Sequence, residues 1–333
     1  MEVNDGADLC FPQLLNMSCR NTMSRSKMML LYFLVSSVSL LTVSLNLLVI
    51  TSVSHFRQLH TPTNILLLSL AVSDFIVGLL VLPGEILRTS CWYLGDVMCS
   101  LYTYFAFVTL TTSIGNMVLI SAERYVAICD PLHYPTRVTV QRARFCVFLC
   151  WFCSLLYSSI FLKCGFIEPD TLKFCYGQCV LVIHFVAGAI DLILSFIFPI
   201  TIIVVLYVRV FVVAVSQARA MRSHITAVTL QHSATVTSRK SELKAARTLG
   251  VLVAVFLMCF CPYYCVSLAG DTALNGSSVS YVIYLFYFNS CLNPVIYALF
   301  YPWFRRAIKL IVTCRILQPG SCDTNILQGE AVK

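Results

Sequence analysis

The chain has 333 residues, of which 59% are hydrophobic and 11% charged, and its formal net charge is +8. A composition that apolar excludes an ordinary soluble domain. A nucleic-acid role has no support either, because most of the excess basic residues sit beside long apolar runs.

A helix crossing a hydrocarbon core needs about 20 apolar residues. Seven stretches qualify, at roughly 28–54, 62–88, 97–126, 145–167, 180–212, 247–270 and 278–301, the third and fifth carrying polar residues. The predicted fold is an all-α membrane protein. It comprises a polar N-terminal segment 1–27, a seven-helix domain 28–301, and a region 302–333 with a short amphipathic helix (Phe304–Arg315) and a tail. Nothing at the start resembles a secretory signal with a cleavage site, so the first span reads as an uncleaved signal-anchor.

Basic residues set the orientation. Arg57, Arg137, Arg142, Arg144, Arg219, Arg222, Arg239, Lys240, Lys244, Arg305, Arg306 and Lys309 fall on the side of the first, second and third inner loops and the tail. Only Arg20, Arg25, Lys27, Arg88, Lys163 and Lys173 fall on the other. The N-terminus is therefore expected outside the cell and the C-terminus in the cytoplasm. The sequons Asn16-Met17-Ser18 and Asn275-Gly276-Ser277 agree, since both precede or join spans on the outer side. Cysteines within spans (Cys146, Cys150, Cys153, Cys259, Cys261, Cys265 and Cys291) read as small buried apolar residues. Cys10, Cys19, Cys99, Cys175 and Cys179 lie outside, where disulfides persist.

Ionisable residues inside spans are costly, and each is a functional candidate. Asp74 sits in the second span, where Asn46 and Asn293 are its candidate partners. Glu123-Arg124-Tyr125 closes the third span, followed by Ile128-Cys129-Asp130-Pro131-Leu132-His133-Tyr134-Pro135. Asp191 lies in the fifth span, eight residues before Pro199 and so about 12 Å outward along the helix. Ser195 shares its face at i+4. An isolated carboxylate there either stays protonated or faces a wet cavity that admits a cation. At 4 Å and an effective dielectric near 20, an ammonium–carboxylate pair is worth about 4 kcal/mol before desolvation. Phe107, Thr111, Phe260, Tyr263, Tyr264, Tyr284 and Tyr287 are candidates to complete the cavity, since aromatic faces attract ammonium ions at roughly 0.5–2 kcal/mol each. In the seventh span Asn289 and Asn293 share a face, and Pro294 bends the helix just beyond them.

Asn293-Pro294-Val295-Ile296-Tyr297 resembles the Asn-Pro-x-x-Tyr motif of rhodopsin-like G-protein-coupled receptors. The wider frame of Asn289, Ser290, Tyr301, Trp303 and Phe304 is similar to the fingerprint of the trace amine-associated receptors, which are mostly olfactory. By that resemblance Cys99 pairs with Cys179. The Cys-x-x-x-Cys of Cys175 and Cys179 implies a second bond from Cys175 to Cys19, with Cys10 as the competing partner. Asp74 with Asn46, Ser113, Asn289, Ser290 and Asn293 resembles the family's sodium and water pocket, so an allosteric sodium ion is the one cofactor implied. Glu123, Arg124 and Tyr125 look like the acidic-Arg-Tyr motif. The resemblance implies that Arg124 pairs with Glu123 at rest, and with Glu242 at the foot of the sixth span. It further implies that Arg124 is released toward a G-protein with Tyr207 and Tyr297 as partners of the open state.

Two positions depart from the family. Aminergic receptors usually carry an aspartate eighteen residues before the arginine, where this chain has Ala106; Phe260 stands where a tryptophan is usual. A subset of fish trace amine receptors resembles this chain in carrying the acid in the fifth span instead. The implied function is an olfactory-type receptor in the plasma membrane of sensory cilia. It binds a small protonated amine and raises cAMP through a stimulatory or olfactory G-protein. The alternative is a receptor for a non-amine odorant or other small ligand. An opsin would need a lysine where Tyr287 stands, a transporter would show repeat symmetry or paired broken helices, and no catalytic constellation is present.

Overall fold

The computed structural model describes residues 9–13, 18–19, 25–165, 175–179, 183–225, 250–266 and 276–326, with the side chains of 217–225 and 276–281 outside that description. Six of its helices are long and apolar enough to cross a membrane: Arg25–His55, Pro62–Thr89, Gly95–Cys129, Val140–Cys164, Phe185–Ser216 and Val282–Phe300. The apolar helix Gly250–Val266 supplies the described part of the sixth span. The chain is a seven-helix membrane bundle, as its hydropathy predicts, and the spans are numbered first to seventh in chain order.

Two boundaries moved. The fourth span begins at Val140, earlier than expected, because Gln141, Arg142 and Arg144 continue the helix below the apolar stretch. The fifth begins at Phe185, later than expected, with Ile183 and His184 of the apolar run outside the helix. The second span opens on a local signal: Thr61 is its N-cap, its Oγ1 accepting from the Asn64 amide at 3.3 Å, and Pro62 occupies the first turn.

Large apolar side chains turn outward along the spans, among them Phe33, Phe148, Phe198 and Phe211, as a helix facing lipid requires. Inside, Leu67, Leu70, Met117, Ile120, Phe256 and Phe304 form one continuous core toward the end opposite the disulfides. The helix Pro302–Val312 lies across that end and buries Trp303, Phe304 and Ala307. The tail beyond it folds back so that Ile326 is buried, its amide bonded to Gln58 Oε1 at 3.3 Å and its carbonyl to Arg306 at 2.6 Å.

The end that carries three disulfides is termed the outer end. Cys99–Cys179 ties the third span to the second outer loop, and Cys19–Cys175 ties the N-terminal segment to the same loop. The competition for Cys175 is thus resolved by a third bond, Cys10–Cys91. It joins the N-terminal segment to the loop after the second span and removes Cys10 as a rival. Backbone bonds from Cys19 to Tyr176 (2.9 Å) and from Trp92 to Gly177 (2.9 Å) knit the three segments into one cap.

Two π-helical turns interrupt the outer halves of the bundle. Val77–Val81 lies in the second span and Ile193–Ile197 in the fifth. Each wider turn rotates the outer segment of its helix relative to the inner half. Beyond the first, Gly84 packs against Tyr102 so closely that a Cβ would meet its ring at 2.4 Å. A bare backbone at that position lets the Tyr102 ring lie on the second span.

Candidate functional site

At the outer end the fifth span presents Asp191, partly buried beside the fourth. Its Oδ1 accepts hydrogen bonds from Tyr157 Oη at 2.6 Å and from Ser195 Oγ at 2.9 Å. Ser195 is where the i+4 spacing places it; Tyr157, from the fourth span, was not foreseen. Oδ2 accepts no hydrogen bond from the described residues, and no described cation pairs with Asp191. Tyr157 stacks on Phe161 (5.8 Å between centroids), and Phe161 in turn meets Phe107 at 5.0 Å. Phe107 thereby belongs to the aromatic wall beside the carboxylate.

On the sixth span, Phe260 is buried between Phe256 (4.0 Å) and, on the seventh, Phe286 (4.3 Å). Above it Tyr263 and Tyr264 meet edge to face at 5.1 Å, Tyr264 stacks on Phe196 at 4.0 Å, and Tyr287 packs on Phe286 at 5.2 Å. Tyr263 and Tyr264 both lie within electrostatic range of Asp191. The Tyr264 hydroxyl is buried with no hydrogen-bond partner, which leaves it a donor with a bond to gain. The expected aromatic group is therefore assembled. Thr111 turns its hydroxyl back to the Phe107 carbonyl at 2.9 Å and lines, together with Tyr157 and Ser195, an apolar cavity of ≈ 460 Å³ between the third, fourth and fifth spans. Tyr284 bonds Thr89 at 3.0 Å and joins a polar cluster on the second span.

That cluster centres on Glu85, which is buried. Arg88 holds both of its carboxylate oxygens, through Nε at 2.9 Å and through Nη2, and Tyr102 Oη donates to Oε2. Ala106, at the position of the missing acid, packs instead among Val35, Val77, Val81 and Leu82.

Midway down, Asp74 is fully buried and its Oδ2 accepts from Asn293 Nδ2 at 2.8 Å; Ser290 lies within reach of the carboxylate. Asn46 donates to the Thr42 and Ser290 carbonyls, and Ser113 bonds Ser73 at 3.0 Å rather than Asp74 directly. Oxygens of Asp74, Asn46, Asn289 and Asn293 are buried without partners, as are both side-chain polar atoms of Asn116. An oxygen-rich set of this kind suits ordered water or a hard cation.

At the inner end Arg124 is locked. It donates to both oxygens of Glu123 (Nε at 2.5 Å) and to Thr63 Oγ1, while Thr63 (2.9 Å) and Tyr134 (2.5 Å) donate to Glu123 Oε1. Burial beside the Glu123 carboxylate pushes the Tyr134 phenol up to about 12, so it stays a donor at neutral pH. Tyr207 lies within electrostatic range of Arg124, and Tyr297 is buried with an unpartnered hydroxyl next to Tyr301 and Phe304. Tyr125 is exposed and takes no part in the lock.

Residues 45–297 match the family model of the 7 transmembrane receptor (rhodopsin family). The chain is 38% identical to trace amine-associated receptor 13c of Danio rerio, over 97% of both proteins. It is 38% identical to receptor 7e of Mus musculus and 39% to receptor 7b of Rattus norvegicus, over 96% of this chain and 92% of each relative. The chain belongs to the trace amine-associated receptors.

As a trace amine-associated receptor it carries three outer-end features that sequence reasoning passed over. Glu85 and Arg88 are two ionisable residues i, i+3 at the outer end of an apolar span, a signal of the same kind that singled out Asp191. Cys91 is a sixth outer cysteine, and an even count would have pointed to three bonds. Tyr157 gave no signal, since one tyrosine in an apolar run does not reveal which helix it faces. Glu242, Asn16 and Asn275 lie outside the described residues.

Proposed function

We propose that this chain is an olfactory-type receptor that binds a small protonated amine through Asp191 and activates a stimulatory G-protein to raise cAMP. The single observation that carries the ligand class is the state of the Asp191 carboxylate. One of its oxygens is held by Tyr157 and Ser195, the other accepts nothing from the described residues, and no described cation pairs with it, although tyrosines surround it. The names of the relatives, trace amine-associated receptors, support the same class. Charge is the natural complement: a ligand ammonium supplies the missing partner of Oδ2, with Tyr263 and Tyr264 offering ring faces. Tyr287 lines the far wall.

Signal transfer then runs through the polar chain below. Rearrangement of the fifth and sixth spans opens the inner end and frees Arg124 from Glu123 and Thr63, so that it reaches the G-protein with Tyr207 and Tyr297 beside it. The unpartnered Tyr297 hydroxyl supports this role, as it has a bond to gain in another arrangement. Pro294 allows the seventh span to bend between the two ends. A sodium ion in the Asp74 pocket would be held by oxygens of Asp74, Asn46 and Asn289 and would favour the resting packing. The N-terminus faces outward in the plasma membrane, with sensory cilia as the site of action and Asn16 and Asn275 as glycan acceptors.

Asp191→Asn keeps shape and most hydrogen bonding but removes charge. A loss of about 2–4 kcal/mol, or roughly 30- to 1000-fold in amine potency, is expected in a cAMP assay at matched surface density. Unchanged potency would reject the anchor. The non-amine reading, supported by the apolar setting of Ala106, would then stand.

A further inference from the structure

Two carboxylates stand in the outer half of the bundle, Asp191 on the fifth span and Glu85 on the second, and they differ in one respect. Asp191 has an oxygen that accepts nothing from the described residues. Glu85 has none: Arg88 takes both oxygens, and Tyr102 donates to one of them as well. The Glu85 side chain is 2% exposed and that of Arg88 30%, so the pair is a buried carboxylate capped by its own guanidinium. The cap is built into the backbone. The π turn Val77–Val81 sets the rotation of this segment, and Gly84 leaves room for the Tyr102 ring that completes the shell.

The two centres are joined by a run of aromatic side chains. Tyr102 and Tyr287 pack on the same apolar cluster of the second span, Tyr287 meets Phe286 at 5.2 Å, Phe286 meets Tyr263 at 5.1 Å, and Tyr263 meets Tyr264 at 5.1 Å on the Asp191 side. Arg25, Lys27, Asp96, Lys163 and His184, the other acidic, basic and histidine side chains described nearer the outer end, are all exposed, and Tyr32 and Tyr104 are half-buried phenols. Among the described residues the buried or half-buried charged groups at this level are Asp191, Glu85 and Arg88, with a formal net charge of one negative.

We propose that Arg88, by neutralising Glu85, restricts this receptor to ligands with a single positive charge, an ammonium at Asp191 and an uncharged far end against Tyr287 and the Glu85–Arg88 pair. The inference rests on the amine reading above and names its substrate class. A second ammonium reaching the Glu85 side loses its water and meets no free oxygen, only a saturated ion pair with a guanidinium on its exposed side. Burying an unpaired cation is costly enough to exclude it. A ligand carboxylate would have to compete with Glu85, which already takes both Nε and Nη2 of Arg88.

The test uses the full-length receptor in cells, a cAMP readout and surface labelling. The probes are straight-chain n-alkylamines, the α,ω-diaminoalkanes of the same carbon number, and the matching ω-amino acids. Wild type should prefer the monoamine by about tenfold or more. Arg88→Gln should shift the diamine-to-monoamine ratio about tenfold or more toward the diamine, because it bares a buried carboxylate. Arg88→Lys should keep the wild-type ratio, and Glu85→Gln combined with Arg88→Gln should restore it. An Arg88→Gln receptor at normal surface density with the wild-type ratio would overturn the proposal. So would a wild-type preference for diamines or ω-amino acids. Silence of every form to all three series removes this inference and the amine reading together. An alkylamine response that survives Asp191→Asn removes only the anchor, leaving the Arg88 ratio to decide the proposal by itself.

Discussion

Replacing Tyr157 by phenylalanine deletes one hydroxyl and leaves its ring on Phe161. That hydroxyl donates to Asp191 Oδ1 at 2.6 Å, shorter than the 2.9 Å bond from Ser195, and both share one acceptor atom. A hydrogen bond to a charged group is worth about 1.5–3 kcal/mol, and it favours the ionised carboxylate that an ammonium requires. Tyr157→Phe should therefore weaken amine potency about 10- to 150-fold in a cAMP dose–response at matched surface expression. Ser195→Ala should cost less, about 0.5–1.5 kcal/mol, and the double variant should depart from additivity because the two donors meet on Oδ1. In an Asp191→Asn background Tyr157→Phe should cost almost nothing further. Potency unchanged in Tyr157→Phe, or the same loss with and without the Asp191 charge, would refute the reasoning, since the tyrosine would then act through packing alone.

The inner lock gives a prediction of opposite sign. Thr63→Ala or Tyr134→Phe removes one bond to Glu123 and should raise ligand-independent cAMP about 2- to 12-fold, the equivalent of about 0.5–1.5 kcal/mol. A fall or no change in basal signal, with normal expression, would count against the lock. At the outer end, non-reduced peptide mapping should recover Cys10–Cys91, Cys19–Cys175 and Cys99–Cys179; a Cys10–Cys175 peptide would contradict the arrangement.

Hydropathy made the seven spans legible because each must be apolar around most of its circumference, and water tolerates no run of that length and character. The i, i+4 relation of Asp191 and Ser195 was legible for a similar reason: it is set within one helix. Partners on different helices were not. Tyr157 reaches Asp191, and Tyr102 reaches Glu85, through the rotation and spacing of neighbouring spans. The π turns contribute to that rotation, and no residue type in Val77–Val81 or Ile193–Ile197 announces one. Thr111 lines a cavity with Tyr157 and Ser195, yet its hydroxyl bonds a carbonyl of its own helix, a choice that its place in the sequence does not reveal. The Cys10–Cys91 bond differs again, because Cys91 sits in a short loop directly after an apolar span and its position alone places it at the same end of the bundle as the other disulfides.

The π turns also bear on how such a receptor can diverge. A wide turn is a helix with one residue too many, absorbed in place. Deleting that residue from the second or the fifth span would turn the outer segment by roughly 100° and carry a different side chain toward the cavity. The segment below would keep its phase, so that Asp74, Arg124 and their partners stay in register. Both turns lie at the outer level of the bundle, one just before Glu85 and the other just after Asp191. Length changes at these two points would let chemical preference drift by insertion and deletion as well as by substitution, while the signalling half is inherited unaltered.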